Sequence, residues 1–336
     1  MTERFVTKFS LIRGTEIPVL REGVPSFLGV PVARTPADLA GADAAIIGIP
    51  YDRPATAGRG AGDWAGYREA PAHVRQRSLR YAGYLPELDL DVFERARLVD
   101  YGDAEIEPDV DRSIAHVARK VREVVEAGAR PITIGGFSPC ASYAVMKGIA
   151  EATSGRIGVL SLDAHGDCLD TEYGPNGSRA PGSATWQARM WDHFPDVDPT
   201  RHLEVGMRGP RNVRAQAHAY RQRGGRLVTA AEVRRRGIDA VCAEGLPRVF
   251  DGTARTWCHL DMDVLDIGAV PDWGDEPLGL SGWDVVTAVH EAGKAGLDAL
   301  SFVYVAPRSP GIAAMVSYVV VYLLAGWITG GRLRPR

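Results

Sequence analysis

A chain of 336 residues with 45% hydrophobic and 24% charged side chains has room for one large α/β domain or two small ones, and its composition is that of an ordinary globular protein. A net charge of −3, with no Lys/Arg stripe interleaved with aromatics, argues against a general nucleic-acid binder. Four scattered cysteines without a C-x-x-C pair give neither a disulfide framework nor a zinc knuckle. With no apolar signal core at the start, a reducing cytoplasm is the expected location.

Residues 1–40 carry Pro18, Pro25, Pro31 and Pro36 with little periodicity and read as an irregular N-terminal arm. Residues 41–336 read as one domain. Ala44–Ile49 is a first buried strand. The Gly-rich stretch Ala57–Gly62 that follows invites a phosphate reading, but it lacks the P-loop Lys-Ser/Thr and the G-x-G-x-x-G spacing, which argues against a nucleotide site. Arg97–Asp103 is the next strand and turn. Ile114, Val117, Val121 and Val124 recur at helical spacing, and Pro131–Ile134 is a short strand ending in Gly135-Gly136.

Ile157–Leu162 is an apolar run too short for a helix and reads as a buried strand. Behind it come Asp163, His165 and Asp167, which leave on one side if the extended geometry persists. A polar, glycine-rich loop from Thr171 to Pro181 follows, long enough to form a rim. His202–Arg208 and Gly225–Thr229 are further strands, and Thr256–Asp261 is another, ending in acids, with Asp261 and Asp263 on one face. Ser281 and Asp284 make a capping-box start for a helix through Val289 and Ala292, and Ala299–Val305 is the last strand. About eight short buried strands alternating with helices predict a three-layer αβα single domain around a mostly parallel eight-stranded sheet.

Two carboxylates and an imidazole at a strand's carboxyl end suit a divalent metal, and ligands bind at that end of open α/β sheets. Taken alone, D-x-H-x-D could equally be a satisfied polar cluster. The second strand shifts the balance, because two buried strands that each push out unpaired carboxylates would be destabilised unless a cation is bound. The combination of Asp163-Ala-His165-Gly-Asp167 with Asp261-Met-Asp263-Val-Leu-Asp266 resembles the ureohydrolase family of arginase, agmatinase and relatives.

That resemblance implies two manganese ions that activate a water for attack on a guanidinium carbon, giving urea and an amine. By motif position Asp163 and Asp261 bridge the ions, and His165 and Asp263 complete one site. Asp167 binds the other ion and orients the attacking oxygen, which makes it the catalytic residue. Asp266 shapes the loop. The oxygen-rich set favours Mn2+, with Ni2+ or Zn2+ also tolerated, and one or two ions per subunit are open. The resemblance further implies a small-molecule substrate and a homo-oligomer, trimer or hexamer. It also makes the uncharged segment 311–331, long enough to span a bilayer, a buried closing helix rather than a membrane anchor. His73 and the segment around it match the family's first helix, with His73 structural.

Three departures alter the expected chemistry. Where the family has Gly-Gly-Asp-His-Ser this chain has Gly135-Gly-Phe-Ser138-Pro139, so Ser138 replaces an imidazole ligand. The family's glutamate before a Val-Asn-Pro-like turn becomes Tyr304, which offers no bidentate carboxylate to a planar cation. The family's active-site His-Gly becomes Pro181-Gly182. Tyr304 and Ser138 are therefore the substrate-facing positions expected to differ.

The metal cradle persists while the guanidinium-reading parts are gone. This predicts a metal-dependent C–N hydrolase of linear amidines with an altered substrate. Two alternatives remain: a paralogue kept for binding or assembly, and a one-metal amide hydrolase of the deacetylase kind. His259 shares a strand face with Asp261 and Asp263. It reads either as a ligand compensating for Ser138, from about 7 Å down the strand, or as a hydrogen-bonded core histidine.

Overall fold

Strands Ala44–Ile49 (β1), Leu98–Asp103 (β2), Arg130–Gly135 (β3), Ile157–Leu162 (β4), Val197–Met207 (β5), Arg226–Thr229 (β6), Arg255–Asp261 (β7) and Ala299–Val303 (β8) form one sheet of order β6-β5-β4-β7-β8-β3-β1-β2. The structure is a computed structural model, and it describes residues 16–52, 66–136, 140–169, 182–271 and 276–333. Among these residues every pairing in the sheet is parallel, so the expected mostly parallel sheet is wholly so. The Gly-rich stretch 57–62, Ser138 and the loop 171–181, including Pro181, lie outside the described residues.

A parallel sheet needs crossovers that cover both faces, and its strands are accordingly apolar throughout. Alternate residues of β1 go to different cores: Ala44 and Ile46 to one, Ala45, Ile47 and Ile49 to the other. The first core is closed by Ala70–Ser78 (α1), Ala230–Arg236 (α6), Ile238–Phe250 (α7), Gly282–Ala295 (α8) and Pro310–Thr329 (α9). The second is closed by Val110–Glu126 (α2), Tyr143–Glu151 (α3), Trp186–His193 (α4) and Arg214–Gln222 (α5). Ile114, Val117, Val121 and Val124 of α2 are buried as their spacing predicts, and Asp109 caps that helix by accepting from the Asp111 and Arg112 amides. Ser281 and Asp284 form the expected capping box of α8.

The apolar helix α9 is long enough to cross a bilayer, and here it is a core element. Its Val316, Val320, Leu323 and Trp327 are buried, and Trp327 Nε1 donates to the Leu297 carbonyl at 2.8 Å. The close approach of α8 and α9 requires glycine at the crossing. A Cβ on Gly326 would run into the His290 carbonyl, and one on Gly293 would sit 3.0 Å from the Leu323 carbonyl oxygen. The described part of the arm is docked on the domain, with Phe27 fully buried and its amide donating to Asp100 Oδ2 at 2.8 Å.

The sheet order fixes the site. From β4 the chain moves outward to β5 and β6, whereas β7, paired with β4, leads to β8 on the other side. The crevice at this reversal opens beyond the carboxyl ends of β4 and β7, the usual ligand position in such sheets. Leu162 pairs with Leu260, so Asp163 and Asp261 leave the sheet side by side.

Candidate metal centre

Each acidic motif folds its own turn. Asp163 Oδ1 accepts the His165 amide at 2.7 Å, and Asp261 Oδ1 accepts the Asp263 amide at 3.0 Å. These are two-residue side-chain turns of the kind aspartate favours. The strand alternation therefore ends at the first acid of each motif. Met262–Val264 is a 3-10 turn, and Asp167 has a left-handed φ of 39°. The sharing of a side inferred from an extended chain is replaced by convergence through turns.

The turns bring Asp163, His165 and Asp263 together, with one donor atom from each lying within 4.8 Å of the others. His165 Nδ1 is 2.9 Å from Asp263 Oδ2 and 3.8 Å from Asp163 Oδ1. Asp263 Oδ1 accepts the Ala164 amide at 3.1 Å, tying the two loops together. Asp163, Asp261 and Asp263 are all buried, and Asp163 Oδ2 accepts no hydrogen bond among the described residues. An unpaired buried carboxylate oxygen beside an imidazole and a second carboxylate fits a divalent cation.

The remaining predicted residues make contacts of their own. Asp167 Oδ2 accepts the indole N–H of Trp186 at 2.9 Å. His259 shares a hydrogen bond of 3.0 Å between Nε2 and Ser142 Oγ and lies against the Trp186 ring at 4.2 Å. Tyr304, where the strand β8 has already ended, has a φ of 55° and stacks on Tyr67 with ring centroids 5.6 Å apart. Asp266 shapes its loop by accepting the Gly268 and Gly279 amides.

Charge explains the strain of the cluster. Burial, with the negative charges of Asp167, Asp263 and Asp261, pushes Asp163 well above the usual carboxylate range. Burial and Asp263 do the same to Asp261. Burial opposes charge on His165, but the hydrogen bond and charge of Asp263 outweigh it and lift His165 to about 9. Asp263 is held low: burial raises it, and His165, the Ala164 amide and Arg208 together outweigh that rise.

Several supporting residues surround the cluster, and of these only Glu276, on the loop after the second acidic motif, stands out in the sequence as a candidate acid. The Arg208 guanidinium donates to the carbonyls of Asp263, Val264, Leu265, Glu276 and Pro277, bracing the second loop. Glu276 Oε1 lies 3.5 Å from His165 Nε2 and accepts from Arg211 Nη1 at 2.8 Å. Asn212 bridges the first loop through Gly166 and Ala164.

Two residues below the acids, Glu204, Ser161, His259, Ser301 and Thr133 are paired across five strands, all fully buried. Burial takes Glu204 up to about 8 against the hydrogen bonds of Tyr220 and Gln187. Tyr220 Oη donates to Glu204 Oε2 at 2.7 Å. Tyr220→Phe leaves Glu204 Oε2 with the longer bond from Gln187 Nε2 at 3.3 Å and should destabilise the protein by about 0.5–1.5 kcal/mol, the usual net loss of one hydrogen bond. Urea unfolding would show it, and a change below about 0.5 kcal/mol would remove Glu204 from the parts that hold this floor together.

The wholly parallel sheet with helices on both faces defines a three-layer α/β fold, and the sequence matches the arginase family over residues 42–325. The chain belongs to that family, whose members are hydrolases acting on amidino C–N bonds. It is 31% identical to the formimidoylglutamase of Halobacterium salinarum over 69% of each chain. It is 27% identical to the guanidinopropionase of Pseudomonas aeruginosa over 76% of each. Among solved structures, formiminoglutamase of Trypanosoma cruzi with Mn2+ superposes with a TM-score of 0.74 at 25% identity, covering 93% of this chain and 100% of that one.

Proposed function

We propose that the chain is a metal-dependent hydrolase of a C–N bond in a linear amidine, agmatinase- or arginase-like in chemistry and altered in the substrate it accepts. The observation that carries this reading is the buried convergence of Asp163, His165 and Asp263 at the sheet's reversal point. These three would hold a divalent cation, manganese by the oxygen-rich donor set. When bound, it supplies Lewis-acid polarisation and lowers the pKa of a water from about 16 towards neutrality.

The chain's own side chains supply the rest. Asp167, fixed by Trp186, is the candidate proton carrier: it takes a proton from the attacking water and returns it to the departing nitrogen. Arg208 keeps the second acidic loop in place, and burial of the acids excludes bulk water from the reacting centre. Tyr304 offers a ring and a hydroxyl where a guanidinium-gripping carboxylate would be needed. Arg211, half-exposed beside Glu276, has the charge to receive an acidic group. The names of the relatives point to guanidinopropionate and formimidoylglutamate, both amidines that carry carboxylates.

Arginine and agmatine, whose guanidinium lacks its gripping carboxylate here, are therefore expected to be poor substrates, and an acidic amidine that is not a guanidine, such as formimidoylglutamate, a better one, turned over at about 1–10³ per second. The test is urea, ammonia or formamide release by the Mn2+-loaded protein from a panel of both kinds. Fast urea release from agmatine would show that another acid has replaced the lost glutamate. The second reading, a one-metal amide hydrolase, is favoured by the Asp–His–Asp composition of the cluster. Turnover of N-acetylated amines with none of the amidines would establish it.

A further inference from the structure

We infer that this chain holds one divalent cation per subunit, where enzymes of its family hold two manganese ions; this rests on reading the Asp163–His165–Asp263 cluster as a metal centre. The convergence itself is the first reason. Among the described residues, donors from Asp163, His165 and Asp263 lie within 4.8 Å of one another at this crevice, a set that does not include Asp167.

The second reason is what holds Asp167. Its left-handed backbone turns the carboxylate to Trp186 Nε1 at 2.9 Å. Trp186 is fully buried between His259, at 4.2 Å, and Trp257, at 5.6 Å. An indole wedged in a close-packed core cannot withdraw without displacing its neighbours. The Trp186 tether therefore keeps Asp167 Oδ2 in a hydrogen bond rather than on a second ion.

The third reason is the missing nitrogen. Ser138 occupies the position of the imidazole in the sequence, and the only histidine on the neighbouring strand face, His259, has Nε2 bonded to Ser142 Oγ and its ring face against Trp186. A second cation would have to draw Asp167 Oδ2 away from the indole N–H that it accepts at 2.9 Å. His259 and Trp186 together form a brace behind Asp167. The gain of His259 thus accompanies the loss at Ser138 as a packing change, not as an exchange of ligands.

The experiment is metal counting on the full chain, loaded with Mn2+ and freed of loose metal by gel filtration, with the paramagnetic spectrum recorded on the same sample. The expected result is one Mn2+ per subunit with the six-line signal of an isolated ion. Two ions per subunit with an exchange-coupled spectrum would overturn the inference and leave the hydrolase reading standing. No retained metal would overturn both. Asp167→Asn and His259→Ala give an independent check: each should keep the wild-type ratio of one. A fall from two to one in either variant would identify that residue as a ligand of a second ion.

Discussion

Asparagine in place of Asp263 should empty the metal centre and stop turnover. Asp263 is the residue at which the two loops meet, with Oδ2 at 2.9 Å from His165 Nδ1 and Oδ1 on the Ala164 amide. Loss of an outer partner of a metal ligand usually lowers affinity about 10–100-fold, and loss of a charged ligand that also orients its neighbour should exceed that range. Dialysed Asp263→Asn protein is expected to carry less than about a tenth of the wild-type metal, with amidine hydrolysis reduced more than about 100-fold. Wild-type metal content in a folded variant would remove Asp263 from the site.

Stripping the metal from the wild type tests the same cluster through pH. Asp163 and Asp261 are raised above the ordinary 3.8, so above that value the folded chain binds more protons than the unfolded one. Stability of the metal-free protein then falls as pH rises. His165 acts in the same direction: its contribution is complete below the ordinary 6.5 and is lost as pH passes about 9. A cation competes with protons for these groups, so the gap in melting temperature between loaded and stripped protein should widen from pH 5 to pH 8. With metal at about 100 times its dissociation constant the stabilisation is about 2.7 kcal/mol. A gap that narrows over that range would contradict the placement of the buried acids.

Much of this arrangement is legible in the residues. β4 and β7 announce themselves as short apolar runs ending in acids, and the pairing of D-x-H-x-D with D-x-D-x-x-D points to one family. The order of the strands is not legible, because nothing local in Leu162 or Leu260 says that they are partners. The end of strand periodicity is also hidden: Asp163 and Asp261 look like strand residues until their carboxylates accept amides two positions on. Similarly, the expected last strand through Val305 stops at Val303, because Tyr304 takes a left-handed backbone. Trp186, Arg208 and Glu204 act through long-range contacts and belong to no motif, so their roles appear only once the fold has brought them to the crevice.

Removing Asp100 should be the most damaging change to the fold outside the metal centre. Arg75 of α1 is fully buried, and its fork is taken by Asp100 through Nε at 2.8 Å and Nη2 at 3.0 Å, with Nη1 on Asp103 at 2.6 Å. Asp100 also accepts the amides of Phe27 and Gly102, so it joins α1, the arm and the edge of β2. Burial disfavours the guanidinium, and the two aspartates more than restore it. Asp100→Ala leaves that charge in the core with one partner, for which the expected loss is about 3–5 kcal/mol. Arg75→Lys keeps the charge and loses the planar fork, so it should also destabilise, though by less. Gly48 is part of the same joint, since a Cβ there would collide with the Asp103 carboxylate and lie 2.9 Å from Arg75 Nη1. Gly48→Ala should accordingly lower stability through the same contacts and add little to Asp100→Ala when the two are combined. Urea unfolding of the three single variants and the double reads this directly. A loss below about 1 kcal/mol for Asp100→Ala, the size of an exposed ion pair, would show that α1 is held to the sheet by its apolar face alone.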